Sequence, residues 1–237
     1  MLCSAGIARA VIYQYHIVIT AAEQAYIAIK KMIVRLELAP GSVLNESALM
    51  VELGIGRTPI REALQRLRRD ELVTIIPRRG IFVTAPDISD LPALFNARAV
   101  IEPHLAELAA LSGTEHHWDE LEAVLTETRD PSVSADTEAM LDADNRCHEI
   151  VWAAADNRFL TPTADMLYAQ SSRLWHLYLG EIADMAPALD EHREILGALR
   201  AGDGIRAARL TETHIRTFED EIREAMQRRM TSGRSAS

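Results

Sequence analysis

Residues 54–64 read Gly-Ile-Gly-Arg-Thr-Pro-Ile-Arg-Glu-Ala-Leu. Gly54 and Gly56 flank a tight turn. Thr58 is placed to cap a helix and Pro59 to occupy its first position, where the absent N–H has no helical partner to lose. That helix runs to about Asp70, with Ile60, Ala63, Leu64 and Leu67 on one face. Upstream, Ala21 to Leu38 carries Tyr26, Ile29, Ile33 and Leu36 at helical spacing, and Ala39-Pro40-Gly41 stops it. Asn45 then caps a short helix to Leu53. Downstream, Leu72–Ile76 and Ile81–Thr84 are β-prone runs joined by Pro77-Arg78-Arg79-Gly80. Helix, helix, turn, helix, hairpin is the order of a winged helix-turn-helix, here over residues 21–85.

Residues 85–87, Ala-Pro-Asp, read as a linker. Beyond it only helical patterns follow, over 89–112, 115–129, 135–156, 158–180, 187–201 and 203–229. Short connections between six helices predict an antiparallel bundle over 89–229, so the fold class is mainly α with a small β-hairpin wing. Residues 1–20 read as an N-terminal extension and 230–237 as a Ser-rich flexible tail.

The chain has 237 residues and a net charge of −10, which argues against a nucleic-acid partner until it is divided. Residues 1–86 hold 11 Lys+Arg against 7 Asp+Glu, whereas the remainder holds 14 against 28. A basic head can sit on phosphates while an acidic body stays off them. No apolar run reaches the ~18 residues of a membrane span. Cys3 and Cys147 give no disulfide framework, and a cytoplasmic location is expected.

The helix after the turn starts with Arg57, Thr58, Pro59 and Arg61, the end that enters the major groove in helix-turn-helix docking. Arginine bonds bidentately to guanine, and a helix N-terminus binds phosphate. Arg66, Arg68 and Arg69 extend the basic run. At the hairpin tip, Arg79 and Gly80 are placed to approach the minor groove. A solvated arginine face is the bland reading. The combination of turn, capped helix and basic wing favours double-stranded DNA over it.

The bundle carries polar residues where its periodicity calls for apolar ones. Asp144 and His148 are one helical turn apart on the inward stripe of their helix, His192 interrupts Leu189, Leu196 and Leu199, and His214 lies between Thr211 and Phe218. One such histidine is usually a satisfied core residue. Four convergent groups suit a divalent ion such as Zn, Ni, Mn or Fe, and spacing alone leaves the two readings open. Arg98 lies on another apolar stripe. It either pairs with Glu102 or clamps the carboxylate of a ligand. Tyr168, Arg173, Trp175 and Tyr178 are further pocket candidates, with core packing the simpler role for the aromatic rings.

Pro40-Gly41, the run Gly56–Leu64, Leu67, Leu72-Val73 and Arg79-Gly80-Ile81-Phe82-Val83 together resemble the winged-helix domain of the GntR family of regulators. Gly56 departs from the small hydroxyl residue usual there. Arg98–Leu111, Asp144-x3-His148, Glu191-His192-x2-Ile195 and His214-Ile215 resemble the FCD ligand-binding domain of the FadR subfamily. The resemblance implies that Arg57, Thr58, Arg61 and Gly80 contact DNA and that Asp144, His148, His192 and His214 ligate a metal. The expectation is a repressor that binds a palindromic operator as a homodimer and answers to a small organic acid, with no membrane partner. A metal-dependent hydrolase with an accessory DNA-binding domain is the alternative, and a purely structural metal is a third reading.

Overall fold

The computed structural model describes residues 19–178 and 185–234. The expected N-terminal extension lies outside the described residues except for Ile19 and Thr20. Thr20 begins the fold by capping α1 (Ala21–Val34), its hydroxyl accepting from the Glu23 N–H at 3.1 Å. The helix stops short of Leu38 because Leu36 turns left-handed, with φ at 60°. A two-residue strand that the sequence did not signal, β1 (Val43–Leu44), follows. Asn45 then caps α2 (Glu46–Leu53) by accepting from the Ser47 and Ala48 N–H groups.

The next helix, α3 (Arg57–Arg69), begins earlier than Thr58 would have capped it. Gly56 is the cap, in extended conformation and with no side chain to accept a bond. Proline is tolerated throughout the first turn, where no N–H has a helical partner. Pro59 therefore fits as the third helical residue, and the Thr58 hydroxyl is left exposed. The hairpin of β2 (Val73–Ile76) and β3 (Gly80–Val83) completes a three-stranded antiparallel sheet in the order β1-β3-β2. Arg78 and Gly80 both turn the hairpin tip with positive φ. Ile29, Ile33, Ile60, Leu64, Leu67 and Leu72 form the core of this head.

The body consists of α4 (Leu91–Ser112), α5 (Glu115–Glu127), α6 (Pro131–Ser134), α7 (Thr137–Ala154), α8 (Leu160–Tyr178), α9 (Ala186–Arg200) and α10 (Gly204–Arg234). The single turn α6 was hidden in the Asp130-Pro131 break. Asp130 caps it through the Ser132 N–H, and Pro131 opens it. The last helix continues beyond Arg229, where its apolar periodicity fades. A second core centred on Phe95, Leu105, Trp152, Trp175 and Leu199 fills the bundle. Among the described residues no helix is long and apolar enough to cross a membrane.

Gly54 closes α2 with φ at 65°, and a methyl group added there would meet nothing within 4 Å. Gly54→Ala therefore introduces strain without a clash. The expected cost is about 1–2 kcal/mol, read from urea denaturation monitored by circular dichroism.

Candidate functional site

Two surfaces carry the chemistry expected from the sequence. On the head, the exposed first turns of α3 present Arg57, Thr58 and Arg61, and Pro59 is partly covered between them. The Arg61 Nε donates to Glu46 Oε2 at 3.1 Å and more weakly to Oε1. Both Nη ends of that guanidinium stay clear of the Glu46 contact. Arg79 and Gly80 are exposed at the wing tip.

The structure places Arg66 elsewhere. Its guanidinium stacks 3.6 Å over the Tyr26 ring and bonds Glu23 at 2.5 Å, so it braces α3 against α1. Helical rotation is the reason. Nine residues at about 100° each put Arg66 on the side of the helix opposite Arg57. A run of arginines in sequence is thus not one face.

In the body, α7 aims Asp144 and His148 inward from successive turns, while α9 supplies His192 and α10 supplies His214. All four are buried, and one ligand atom from each lies within 4.8 Å of the others. Asp144 Oδ1 is 2.9 Å from His192 Nε2 and 3.6 Å from His214 Nε2. The Nε2 atoms of His148 and His214 are 3.3 Å apart.

The rings are oriented from behind. His148 Nδ1 lies 2.9 Å from Glu102 Oε2, and His214 Nδ1 lies 2.7 Å from Glu191 Oε2. Carboxylates only accept, so both Nδ1 atoms carry a proton, and each ring in its neutral form turns a lone pair forward at Nε2. Two lone pairs facing each other beside a carboxylate repel unless a cation sits among them. The residues present therefore fit a divalent ion, with carboxylate–histidine pairs behind two of its ligands.

Charge follows the same layering. Burial pushes the Asp144 carboxyl up, but the hydrogen bond from His192 and the fields of the three imidazoles outweigh it and hold it below the usual carboxylate range. Burial, aided by His214, lowers His192 to about 4 against the pull of Asp144, so this ring is neutral and ready to ligate at neutral pH. Burial likewise opposes ionisation of Glu102, yet Arg98 and His148 keep it at about 2.

Arg98 is only 1% exposed. Its Nε bonds Glu102 Oε1 at 2.5 Å, and its Nη1 bonds Ser171 Oγ at 2.8 Å. Of the two roles open from sequence, the structure shows the ion pair, one layer behind His148. Tyr168, assigned to packing by the simpler reading, instead donates its hydroxyl to Asp144 Oδ2 at 2.8 Å. Trp175 does pack, stacking on Phe218 with ring centroids 3.9 Å apart. Ser171 interrupts the stripe Ala164, Tyr168, Trp175 and Tyr178 and was open to the same reading as the histidines, whereas Glu191 lies beside the inward stripe of its helix and gave no such signal.

Glu102→Gln tests the layered charge. It keeps the volume and an oxygen for His148 but leaves the Arg98 cation buried without its partner. A loss of about 3–5 kcal/mol is expected in chemical denaturation of the metal-free chain.

The sequence matches the bacterial regulatory proteins of the gntR family over residues 21–83 and the FCD domain over residues 93–217. An uncharacterized HTH-type transcriptional regulator in an unstable DNA locus of Streptomyces ambofaciens is 30% identical over 203 residues, covering 83% of each chain. The HTH-type transcriptional repressor RspR of Escherichia coli K12 is 26% identical over 205 residues, covering 86% of this chain and 90% of that one. Among solved structures, E. coli McbR/YncC shares the fold with a TM-score of 0.76 at 20% identity, covering 86% of this chain and 98% of its own. The FCD match alone spans more than half the chain and contains all four convergent side chains. The chain belongs to the GntR family of bacterial transcription regulators, with an FCD domain as its C-terminal part, and is a DNA-binding regulator rather than an enzyme.

Proposed function

We propose that this chain is a cytoplasmic repressor that reads a palindromic operator as a homodimer and is switched by a small organic acid sensed at a metal centre in its body. One observation carries the reading. A carboxylate oxygen and the Nε2 atoms of three imidazoles converge in a buried space, with two of the rings fixed from behind. Bound there, a divalent ion would supply Lewis-acid positions for the oxygens of an effector. Asp144, His148, His192 and His214 would hold it. Four protein donors complete a tetrahedron but leave two positions of an octahedron open, so Ni, Mn or Fe leaves room for a bidentate acid where Zn need not. Arg98 reaches an effector carboxylate only by exchanging a Glu102 oxygen for it, which keeps the guanidinium paired throughout.

On the head, Arg57 and Arg61 read base edges, Thr58 and the free N–H groups of the α3 N-terminus hold phosphate, and Arg79 and Gly80 enter the minor groove. A dimer places two such heads on successive half-sites. The effector must bind the two head arrangements with different affinity to release DNA.

Two measurements test this. Calorimetric titration with nickel or zinc should give one ion per chain, and His214→Ala should weaken it by more than about 10-fold. An enriched duplex from a randomised pool should bind a dimer, and Arg57→Ala should cost about 1–3 kcal/mol on it. Absence of metal binding overturns the sensor; absence of any sequence preference at low salt overturns the reader.

A further inference from the structure

Head and body are joined along one side of α8, and the same turns of α8 reach the Asp144 cluster from the other side. Toward the head, Asp165 bonds Lys30 of α1 at 2.5 Å, and Ala169, 2% exposed, is packed within the head core. Gln170 Nε2 donates to the Asp70 carbonyl at 2.8 Å. Asp70 is the residue that ends α3. The Arg173 guanidinium donates to the Thr84 carbonyl, directly after β3 of the wing, and to Gln170 Oε1 at 3.2 Å. Toward the body, the Tyr168 hydroxyl donates to Asp144 Oδ2, and Ser171 Oγ accepts from Arg98 and donates to the Tyr168 carbonyl.

Two adjacent turns of one helix therefore touch the base of the recognition helix, the base of the wing and the carboxylate at the centre of the candidate metal site. Other contacts cross the joint, notably Arg35 and Lys31 with Asp142, but both cations and Asp142 are partly solvated and screened. A cleft of about 450 Å³ opens between α1, α7 and α8, with Tyr168 on its wall and Arg35, Arg66 and Asp165 among its lining. The head is thus fastened to the body at a few points beside open space, an arrangement in which a small shift of α8 re-aims α3.

Building on the metal-centre reading above, we propose that Tyr168 and Gln170 are positioning residues that transmit occupancy of the Asp144–His148–His192–His214 cluster to the recognition helix and the wing. Neither residue need contact DNA. Asp144 would hold such an ion while its Oδ2 accepts from the Tyr168 hydroxyl, so fixing the carboxylate would fix that hydroxyl. One rigid helical turn then sets where Gln170 and Arg173 hold the Asp70 and Thr84 carbonyls. Coupling of this kind is reciprocal: if the ion changes affinity for DNA by a given factor, DNA changes affinity for the ion equally.

The test uses the full chain, nickel as the metal and the duplex enriched from a randomised pool. DNA affinity is measured by fluorescence anisotropy with and without nickel, and nickel affinity by calorimetry with and without duplex. Wild type should show the same shift in both, of about 5-fold or more. Gln170→Ala should leave the nickel affinity of free protein and the DNA affinity of metal-free protein within about twofold, while the mutual shift falls below about twofold. Tyr168→Phe should lose the shift as well, with some loss of nickel affinity because it touches a ligand. A purely structural role would lower both affinities and keep the shift. The inference is overturned if both variants retain the wild-type shift, or if wild type binds both partners with no shift. Failure of wild type to bind nickel or duplex at all overturns the underlying reading, and this inference with it.

Discussion

Ionised and lone-pair-bearing groups cannot be gathered in an apolar interior without something to balance them, and the body of this protein is arranged around that constraint. Asp144 sits among three imidazoles, and two of those imidazoles donate backward to Glu102 and Glu191. Each backward bond fixes a ring and bares its forward nitrogen. Glu102 is in turn held by Arg98, and Arg98 by Ser171. The bundle supplies one side chain or more from each of five helices to this arrangement. That explains why polar residues are tolerated at positions where its packing otherwise demands apolar ones.

The head obeys a simpler rule. Its core is aliphatic, with Tyr26 closing one side, and its charges are pushed to the rim. There they divide by helical azimuth. Arg57 and Arg61 are exposed at the start of α3, Arg61 bonding Glu46 through Nε alone, while Arg66 is turned back onto Tyr26 and Glu23. The same residue type is thus presented to solvent at one end of the helix and used for attachment at the other.

Much of this was legible in the sequence wherever a period was broken. Asp144, His148, His192 and His214 each interrupt an apolar stripe, and a residue that violates the pattern announces a local reason for it. The turn at Gly54 and the hairpin tip at Gly80 were equally plain, because few residue types adopt their positive φ. What stayed hidden needed three dimensions. Tyr168 keeps the pattern, so nothing set its hydroxyl apart from a packed ring. The start of α3 slipped toward Gly56 because proline is acceptable at any position of a first turn. Arg98 showed that it was buried but not what it faced, and the choice between partner and clamp could not be made along the chain.

Electroneutrality gives the Arg98–Glu102 pair a significance beyond its own geometry. Those two charges cancel, so around neutral rings Asp144 and half-buried Glu191 would leave two uncompensated negative charges beside the cluster. A doubly charged cation restores zero. A singly charged one would leave an uncompensated negative charge among buried groups, which is costly there. Charge balance would thus favour a divalent occupant over a monovalent one before coordination geometry has any say.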